Sequence, residues 1–304
     1  MRRRGAIGFS GIASSPVDDV LRQFYYETKF GHTANHSTAL VADKFAGYTG
    51  RWFLRLLIAV PVFNEAKYVG RVLDKIHRFW PDVLVVDDGS TDGTGEMLAA
   101  RSDIRLIRRG QNRGYGQSLI DAFNFADSAG YEWVITMDCD EQHEPETIPD
   151  FIEEIKSDHW DLISGSRYLH PRSNDDLPPT DRRAVNATIT SIVNDLFHLG
   201  LSDSFCGFKA HRVSAMRRLR LTEPGYAFPL QLWPQVAVAK LRVTEIPVRL
   251  IYNDPNRHFG GSLDDVGNRL RHYLDVLTTE VSDLAANPLP TRTPSAESIC
   301  CMCE

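Results

Sequence analysis

Between Tyr131 and His143 the chain reads YEWVITMDCDEQH, an apolar run that ends abruptly in three acids and a Gln-His pair. Apolar residues running into packed carboxylates describe a buried strand that delivers Asp138 and Asp140 to the edge of a sheet. Side chains alternate along an extended backbone, so residues two apart face the same way. Two carboxylates so placed can reach one hard divalent cation, which prefers oxygen ligands. The same residues also fit a solvated acidic turn. A second acidic stretch, VVDDGSTDGT from Val85 to Thr94, sets Asp87, Asp88 and a glycine turn between a strand and a helix. Such a loop can accept hydrogen bonds from a base or ribose and lay N–H groups near phosphate. It can equally be a tight turn with a helix cap, because Ser90, Thr91 and Asp92 are capping types. Arg108, Arg109 and Arg113 flank the glycines of GQNRGYG, a phosphate-proximal loop or a solvated basic turn. Its glycine spacing is not GxGxxG, which argues against dinucleotide binding.

The elements that must position these residues follow from hydrophobic spacing. Leu56 to Val62 predicts a strand, and Val69, Val72, Leu73 and Ile76 a helix after it. Val83 to Val86, Ile104 to Ile107, Trp133 to Met137 and Leu162 to Ser164 predict four more strands. Helices are expected over Thr91 to Ala100, over Gly116 to Ala129, and around Ile152 and Ile155. Strands alternating with helices at this spacing imply parallel βαβ units, that is, an α/β fold with a Rossmann-like, mostly parallel central sheet flanked by helices. Ligands bind such sheets beyond the carboxyl ends of the strands. Five of those ends carry acids, amides, glycines or arginines: 63–65, 87–90, 108–116, 138–140 and 165–167. A structural protein has no need to gather them on one rim. After Tyr168 comes a Pro-, Asp- and Ser-rich loop over 171–182, then an amphipathic helix over 184–199. A strand over Leu241 to Tyr252, interrupted by Pro247, and a last amphipathic helix over 264–281 complete the pattern.

Bulk properties bound the function. A chain of 304 residues with 42% hydrophobic and 24% charged residues can bury a sizeable core. A formal net charge of -6 argues against nucleic acid as a partner. Cys139, Cys206, Cys300, Cys301 and Cys303 lack zinc-site spacing, and imply a reduced protein without structural disulfides. No run reaches the roughly 18 apolar residues of a membrane helix. The chain is expected to be cytoplasmic, peripheral at a membrane if anything. Residues 1–53 have no clear period and read as an extension, 54–285 as the α/β domain, and 286–304 as a disordered tail.

Four segments in this order, AVPVFNE (59–65), VVDDGSTDGT (85–94), MDCDEQH (137–143) and GSRY (165–168), resemble the family 2 glycosyltransferases. Within that family the pattern is most similar to the dolichol- or polyprenol-phosphate sugar synthases, and the resemblance covers about residues 55 to 262. It implies the GT-A fold, and that Pro61 and Glu65, with Asp88 and Asp87, hold the nucleoside. It implies that Asp138, Asp140 and Gln142, the DXD motif and its neighbour, hold Mg²⁺ or Mn²⁺ on the donor diphosphate. Cys139 and Glu141 depart from the small and apolar residues usual there. Arg167 and Arg257, the latter in NDPNRHFGGS (253–262), are implied as clamps on an acceptor phosphate, and Leu263 stands where a lysine is usual. DSFCGFKAHR (203–212) is similar to the family's Asp-x-x-Ser-Gly-Phe-Arg segment. There Asp203 would bind the sugar or assist the acceptor, or simply cap a turn. His143 fits a support behind the metal site better than a ligand.

The expected activity is therefore metal-dependent, inverting transfer of a sugar from a nucleotide-diphosphate donor. GDP-mannose is the preferred donor and a polyprenyl or dolichyl phosphate the preferred acceptor, met at a membrane surface or through a membrane partner protein. Two alternatives stand beside it: transfer from a UDP-sugar to a saccharide hydroxyl, which needs a base near Asp203, and non-catalytic nucleotide-sugar binding.

Overall fold

The apolar runs pair into one seven-stranded sheet in a computed structural model that describes residues 54–253 and 260–289. In chain order the strands are β1 (Leu56–Val62), β2 (Val83–Asp87), β3 (Arg105–Arg108), β4 (Trp133–Thr136), β5 (Leu162–Ser166), β6 (Lys209–Arg212) and β7 (Val243–Pro247). Across the sheet they run β3-β2-β1-β4-β6-β5-β7. All are parallel except β6, which lies antiparallel between β4 and β5, with Lys209 opposite both Thr136 and Ser164. The carboxyl ends of the parallel strands therefore share one rim, and β6 starts from it.

Alternation along the strands sorts their side chains onto two covered faces. Leu57 and Ala59 of β1 join one core, and Leu56, Ile58, Val60 and Val62 join the other. The second face is covered by α1 (Val69–Ile76), α2 (Thr94–Ala99) and α4 (Ile148–Lys156). The first is covered by α3 (Tyr115–Ser128), α5 (Thr180–Phe197), α7 (Phe228–Val238) and α8 (Val266–Ala286), while the short α6 (Val213–Met216) follows β6 directly. Both predicted amphipathic helices thus exist, and both pack on the protein: Val185, Ile189 and Val193 of α5 and Tyr273 and Leu277 of α8 are core residues.

The sequence reading missed β6 and α7. Strand β6 is KAHR, whose only apolar residue is Ala210, yet Lys209 and His211 are both buried. Lys209 is held there by Ser164 Oγ at 2.9 Å, by the Cys206 carbonyl, and by the Trp233 ring, 5.2 Å away at its centroid. Helix α7 is apolar on nearly every side and contains Pro229 and Pro234, which read locally as helix breakers. Pro229 sits in the first turn, where its missing N–H costs nothing. The strand expected over 241–252 is shorter. Strand β7 stops at Pro247, which cannot donate to a ladder and is tolerated because, among the described residues, β7 pairs only with β5. Cys139 and Cys206 are buried and form no disulfide. Among the described residues no helix is long and apolar enough to cross a membrane. The extension expected over 1–53 and the tail beyond 289 lie outside the described residues.

Candidate active site

The loops after β1 and β2 are built as one unit. Asn64, with φ at 57°, accepts from the Thr91 N–H at 2.8 Å and gives its own N–H to Ser90 Oγ at 2.9 Å. The next two amides donate to Thr94 Oγ1 and Asp92 Oδ2 at 2.9 and 3.1 Å. Asp92 also receives the Thr94 N–H at 3.0 Å. Burial opposes ionisation of Asp92, but these hydrogen bonds prevail and hold its pKa below the ordinary value. Ser90 and Asp92 thus hold the turn, whereas the cap of the following helix is Gly93, without a side-chain cap hydrogen bond.

Asp88 ties this unit to the loop after β3. Its Oδ1 accepts from the Arg113 N–H at 2.9 Å and Arg109 Nη1 at 2.6 Å, and its Oδ2 from the Gly114 N–H at 2.7 Å. Arg109 also reaches Asp121 at 2.5 Å and is buried, so it braces the loop and is not a solvated basic turn. Gly89, at φ +78°, lets the Gln111 backbone come so close that an added Cβ would lie 2.6 Å from its carbonyl carbon. Asp87 is fully buried, takes the Ser90 N–H on Oδ1 at 2.9 Å, and has Arg108 Nε 3.5 Å from Oδ2. Asp87, for which a nucleoside contact is expected, is not among the residues that line the cleft described below.

Strand β4 ends in the acidic loop. Asp138 is half-buried, with Oδ1 accepting from Tyr115 Oη at 2.9 Å. Asp140 is buried, and its Oδ1 accepts from the Gln142 N–H at 3.0 Å. Cys139 points into the core between them. Glu141, at φ 61°, turns the other way and pairs with Arg71 at 3.1 Å and Lys75 at 3.3 Å on α1. Gln142 Nε2 is buried without a hydrogen-bond partner. His143 lies behind the loop. Its Nδ1 accepts from the Asp138 N–H at 3.0 Å, and its Nε2 is 3.8 Å from Asp138 Oδ2. Burial lowers the ring's pKa, but Asp138, Cys206 and Asp140 raise it further, to about 9. Nδ1 can accept only when unprotonated, so the hydrogen bond from the Asp138 N–H opposes the protonation that the neighbouring acids favour. Two carboxylates and an amide suit a hard divalent ion that keeps part of its sphere for substrate phosphate and water. No group of three or more His, Cys, Asp or Glu residues suited to a metal occurs among the described residues.

Past β5, Arg167 turns back onto Asp203. Nε meets Oδ2 at 2.6 Å and Nη2 meets Oδ1 at 3.0 Å. Asn186 Nδ2 and the Phe205 N–H add bonds to Oδ1 at 2.8 and 3.2 Å. Burial would raise the Asp203 pKa, but Arg167 and Asn186 hold it well below the carboxylate range. Asp203, for which a direct role in binding sugar or assisting the acceptor is expected, has no exposure. Arg257 lies outside the described residues.

These loops surround a cleft of about 400 Å³. Pro61, Glu65, Asp88, Asp138, Asp140, Gln142 and Arg167 all line it; Asp87 and Asp203 do not. Its walls also include side chains not anticipated from sequence: Tyr115, Arg182 in the first turn of α5, Tyr226 before α7, and Arg269 on α8. Arg269 is buried and paired with Asp181 at 2.8 Å. Arg182 stands in TDRRAVN, at the end of the 171–182 stretch that the sequence reads as a loop, whereas the structure places it in the first turn of α5.

The chain matches the family model described as glycosyl transferase family 2 over residues 57–220. It is 28% identical over 207 residues to an undecaprenyl-phosphate mannosyltransferase of Micrococcus luteus, covering 65% of this chain and 84% of the relative. It is 28% identical over 204 residues to a polyprenol monophosphomannose synthase of Mycolicibacterium smegmatis, covering 64% and 76%. Its fold is similar to the crystal structure of glucosyl-3-phosphoglycerate synthase from Mycobacterium tuberculosis in complex with Mn²⁺, uridine diphosphate and phosphoglyceric acid. The TM-score is 0.56 at 18% identity, over 82% of this chain and 84% of that one. The chain belongs to glycosyl transferase family 2, a glycosyltransferase of the GT-A fold.

Proposed function

We propose that this family 2 glycosyltransferase moves a hexose from a nucleotide-diphosphate donor onto a polyprenyl or dolichyl phosphate, with inversion in a single displacement. The observation that carries the reading is the division of charge in the cleft. Its carboxylates, Glu65, Asp88, Asp138 and Asp140, follow β1, β2 and β4, whereas the charged side chains of the other half are Arg167, Arg182 and Arg269. A saccharide hydroxyl would need a general base, and among the described residues no carboxylate lines the cationic half, with Asp203 enclosed by Arg167. A phosphate acceptor is already ionised near neutrality (second pKa about 6) and needs cations, for which the guanidinium fork is suited.

In this reading Pro61, Glu65 and Asp88 hold the nucleoside, and Asp138, Asp140 and Gln142 hold Mg²⁺ or Mn²⁺. When bound, the ion supplies positive charge against which the diphosphate departs. Gln142 Nε2, buried and without a partner, has a proton to offer a phosphate oxygen. Arg167, fixed in one orientation by Asp203, receives the acceptor phosphate with Arg182 and Arg257. The donor we propose is GDP-mannose, since both relatives named above are mannose enzymes. A polyprenyl phosphate resides in a bilayer, so the cleft must meet a membrane surface, directly or through a partner.

The test is a transfer assay of a panel of nucleotide sugars against a short polyprenyl phosphate, with and without chelator. Metal-dependent mannosyl transfer from GDP-mannose, abolished by Asp140→Ala in a folded protein, is expected. Transfer to a neutral saccharide but not to the lipid phosphate would overturn the acceptor; undiminished activity of the Asp140 variant would overturn the metal site.

A further inference from the structure

We propose that Tyr115 is a positioning residue of the metal site: its hydroxyl fixes the Asp138 carboxylate, and the ring of Tyr226 fixes Tyr115. The inference rests on the reading of Asp138 and Asp140 as metal ligands.

Tyr115 opens α3, and its Oη donates to Asp138 Oδ1 at 2.9 Å. Three further features mark the contact as built into the fold. The first is Gly207, on the segment leading into β6. A Cβ there would lie 2.6 Å from Tyr115 Oη and 2.7 Å from Asp138 Oδ2, so only hydrogen fits against the pair. The second is Tyr226, which stacks on Tyr115 with ring centroids 5.8 Å apart and planes 17° from parallel. The third is how the segment bearing Tyr226 is fastened to the start of α3. The Gln117 N–H donates to the Pro224 carbonyl at 3.1 Å, and a Cβ on Gly114 or Gly116 would lie 2.3 or 2.2 Å from the carbonyl oxygens of Pro224 and Glu223. The loop before α7 thus docks directly on the helix start that carries Tyr115, and one ring is stacked on the other.

The consequence is a carboxylate with one oxygen held before any ion arrives. Groups that orient a metal's ligands are typically worth 10–100-fold in metal affinity, because the ligand no longer has to be ordered on binding. Tyr226 also lines the cleft, so the brace on the metal carboxylate extends to a ring that touches the cleft itself.

The experiment is a titration of the full chain with Mn²⁺ alone, followed by the electron paramagnetic resonance of the free ion, with the thermal midpoint of each variant recorded in parallel. Tyr115→Phe keeps the stacked ring and removes only the hydroxyl. We expect it to weaken Mn²⁺ binding about 10–100-fold with an unchanged midpoint, while Tyr226→Phe binds as wild type and Tyr226→Ala is weakened. Asp138→Asn separates the two levels of the argument. If it abolishes Mn²⁺ binding while Tyr115→Phe binds normally, the metal site stands and the proposal is overturned. If Asp138→Asn binds normally, or the wild-type chain binds no Mn²⁺, the metal reading fails and the proposal with it.

Discussion

Arg167 and Asp203 meet at two points, Nε to Oδ2 at 2.6 Å and Nη2 to Oδ1 at 3.0 Å, with the carboxylate wholly enclosed. Asp203 therefore acts through Arg167, orienting a guanidinium that lines the cleft. Removing the charge of one member of a buried pair leaves the other uncompensated, at a cost of about 3–5 kcal/mol. Asp203→Asn is expected to lower the urea midpoint accordingly and to raise the Michaelis constant for a phosphate acceptor. The shape of the pH–rate profile should stay the same. Loss of an acidic limb from that profile would restore Asp203 as a proton acceptor.

His211 gives the fold a pH dependence of definite sign. Burial first, and then Lys209, push its pKa down to about 3, against about 6.5 in an unfolded chain. Between those values the unfolded chain binds a proton that the folded one refuses, so stability falls as pH drops from about 6.5 toward 3. The slope from this one group is at most about 1.4 kcal/mol per pH unit. Asp203 works in a lower window: its pKa is depressed in the fold, so its contribution is full above about 3.9 and is lost only below that. Urea midpoints of wild type and His211→Gln between pH 6.5 and 4.5 test this; the variant should lose the slope of about one proton.

What was legible in the sequence follows from what each signal reports. Leu56 to Val62 and Val83 to Val86 are strands buried on both faces, so a continuous apolar run announces them. The same logic marked the rim, because polar residues at the ends of such runs have few places to go. It failed at β6, where Lys209 and His211 are buried by partners far away in sequence, Ser164 and Thr136 among them. It failed at α7, where two prolines obscure a helix enclosed by the core. In the site, residue type alone could not separate ligand from brace. Asp87, Asp88 and Asp138 are equivalent on paper, but in the fold one is sealed, one clamps a loop, and one is held by Tyr115. Tyr115 was passed over because a tyrosine after a glycine carries no local signal of the carboxylate it will meet.

Glu141 separates a weak effect from a backbone one. Its pairs with Arg71 and Lys75 are at the surface, where each contributes roughly 0–1 kcal/mol. Its φ of 61° is a left-handed conformation, which costs a non-glycine residue about 1–2 kcal/mol. Glu141→Leu keeps that strain and loses the pairs; Glu141→Gly loses the pairs and relieves the strain. Thermal unfolding should rank the glycine variant at or above the leucine one, with both within about 2 kcal/mol of wild type. Tight coupling of this loop to α1 would show instead as a larger loss in both.

Two glycines beside Tyr115 should fail in different ways, and the difference lies in what an added methyl would strike. At Gly116 the Cβ would lie 2.2 Å from the Glu223 carbonyl oxygen and 3.0 Å from that of Gly225. Those are backbone atoms of a loop docked on α3, which cannot step aside singly. Gly116→Ala should therefore pry the loop from the helix and lower stability by about 1–3 kcal/mol, the range for overpacking. At Gly207 the atoms struck are Tyr115 Oη and the Asp138 carboxylate, at 2.6 and 2.7 Å. Both are side-chain ends rather than backbone, so the methyl strains the hydrogen bond between them before it strains the fold. Gly207→Ala should keep a near-wild-type thermal midpoint and lose Mn²⁺ affinity by at least as much as Tyr115→Phe, about 10–100-fold. A Gly207→Ala protein that unfolds like Gly116→Ala would mean that the pair is rigid enough to transmit the strain into the core. One that binds Mn²⁺ normally would mean that the bond from Tyr115 to Asp138 is dispensable.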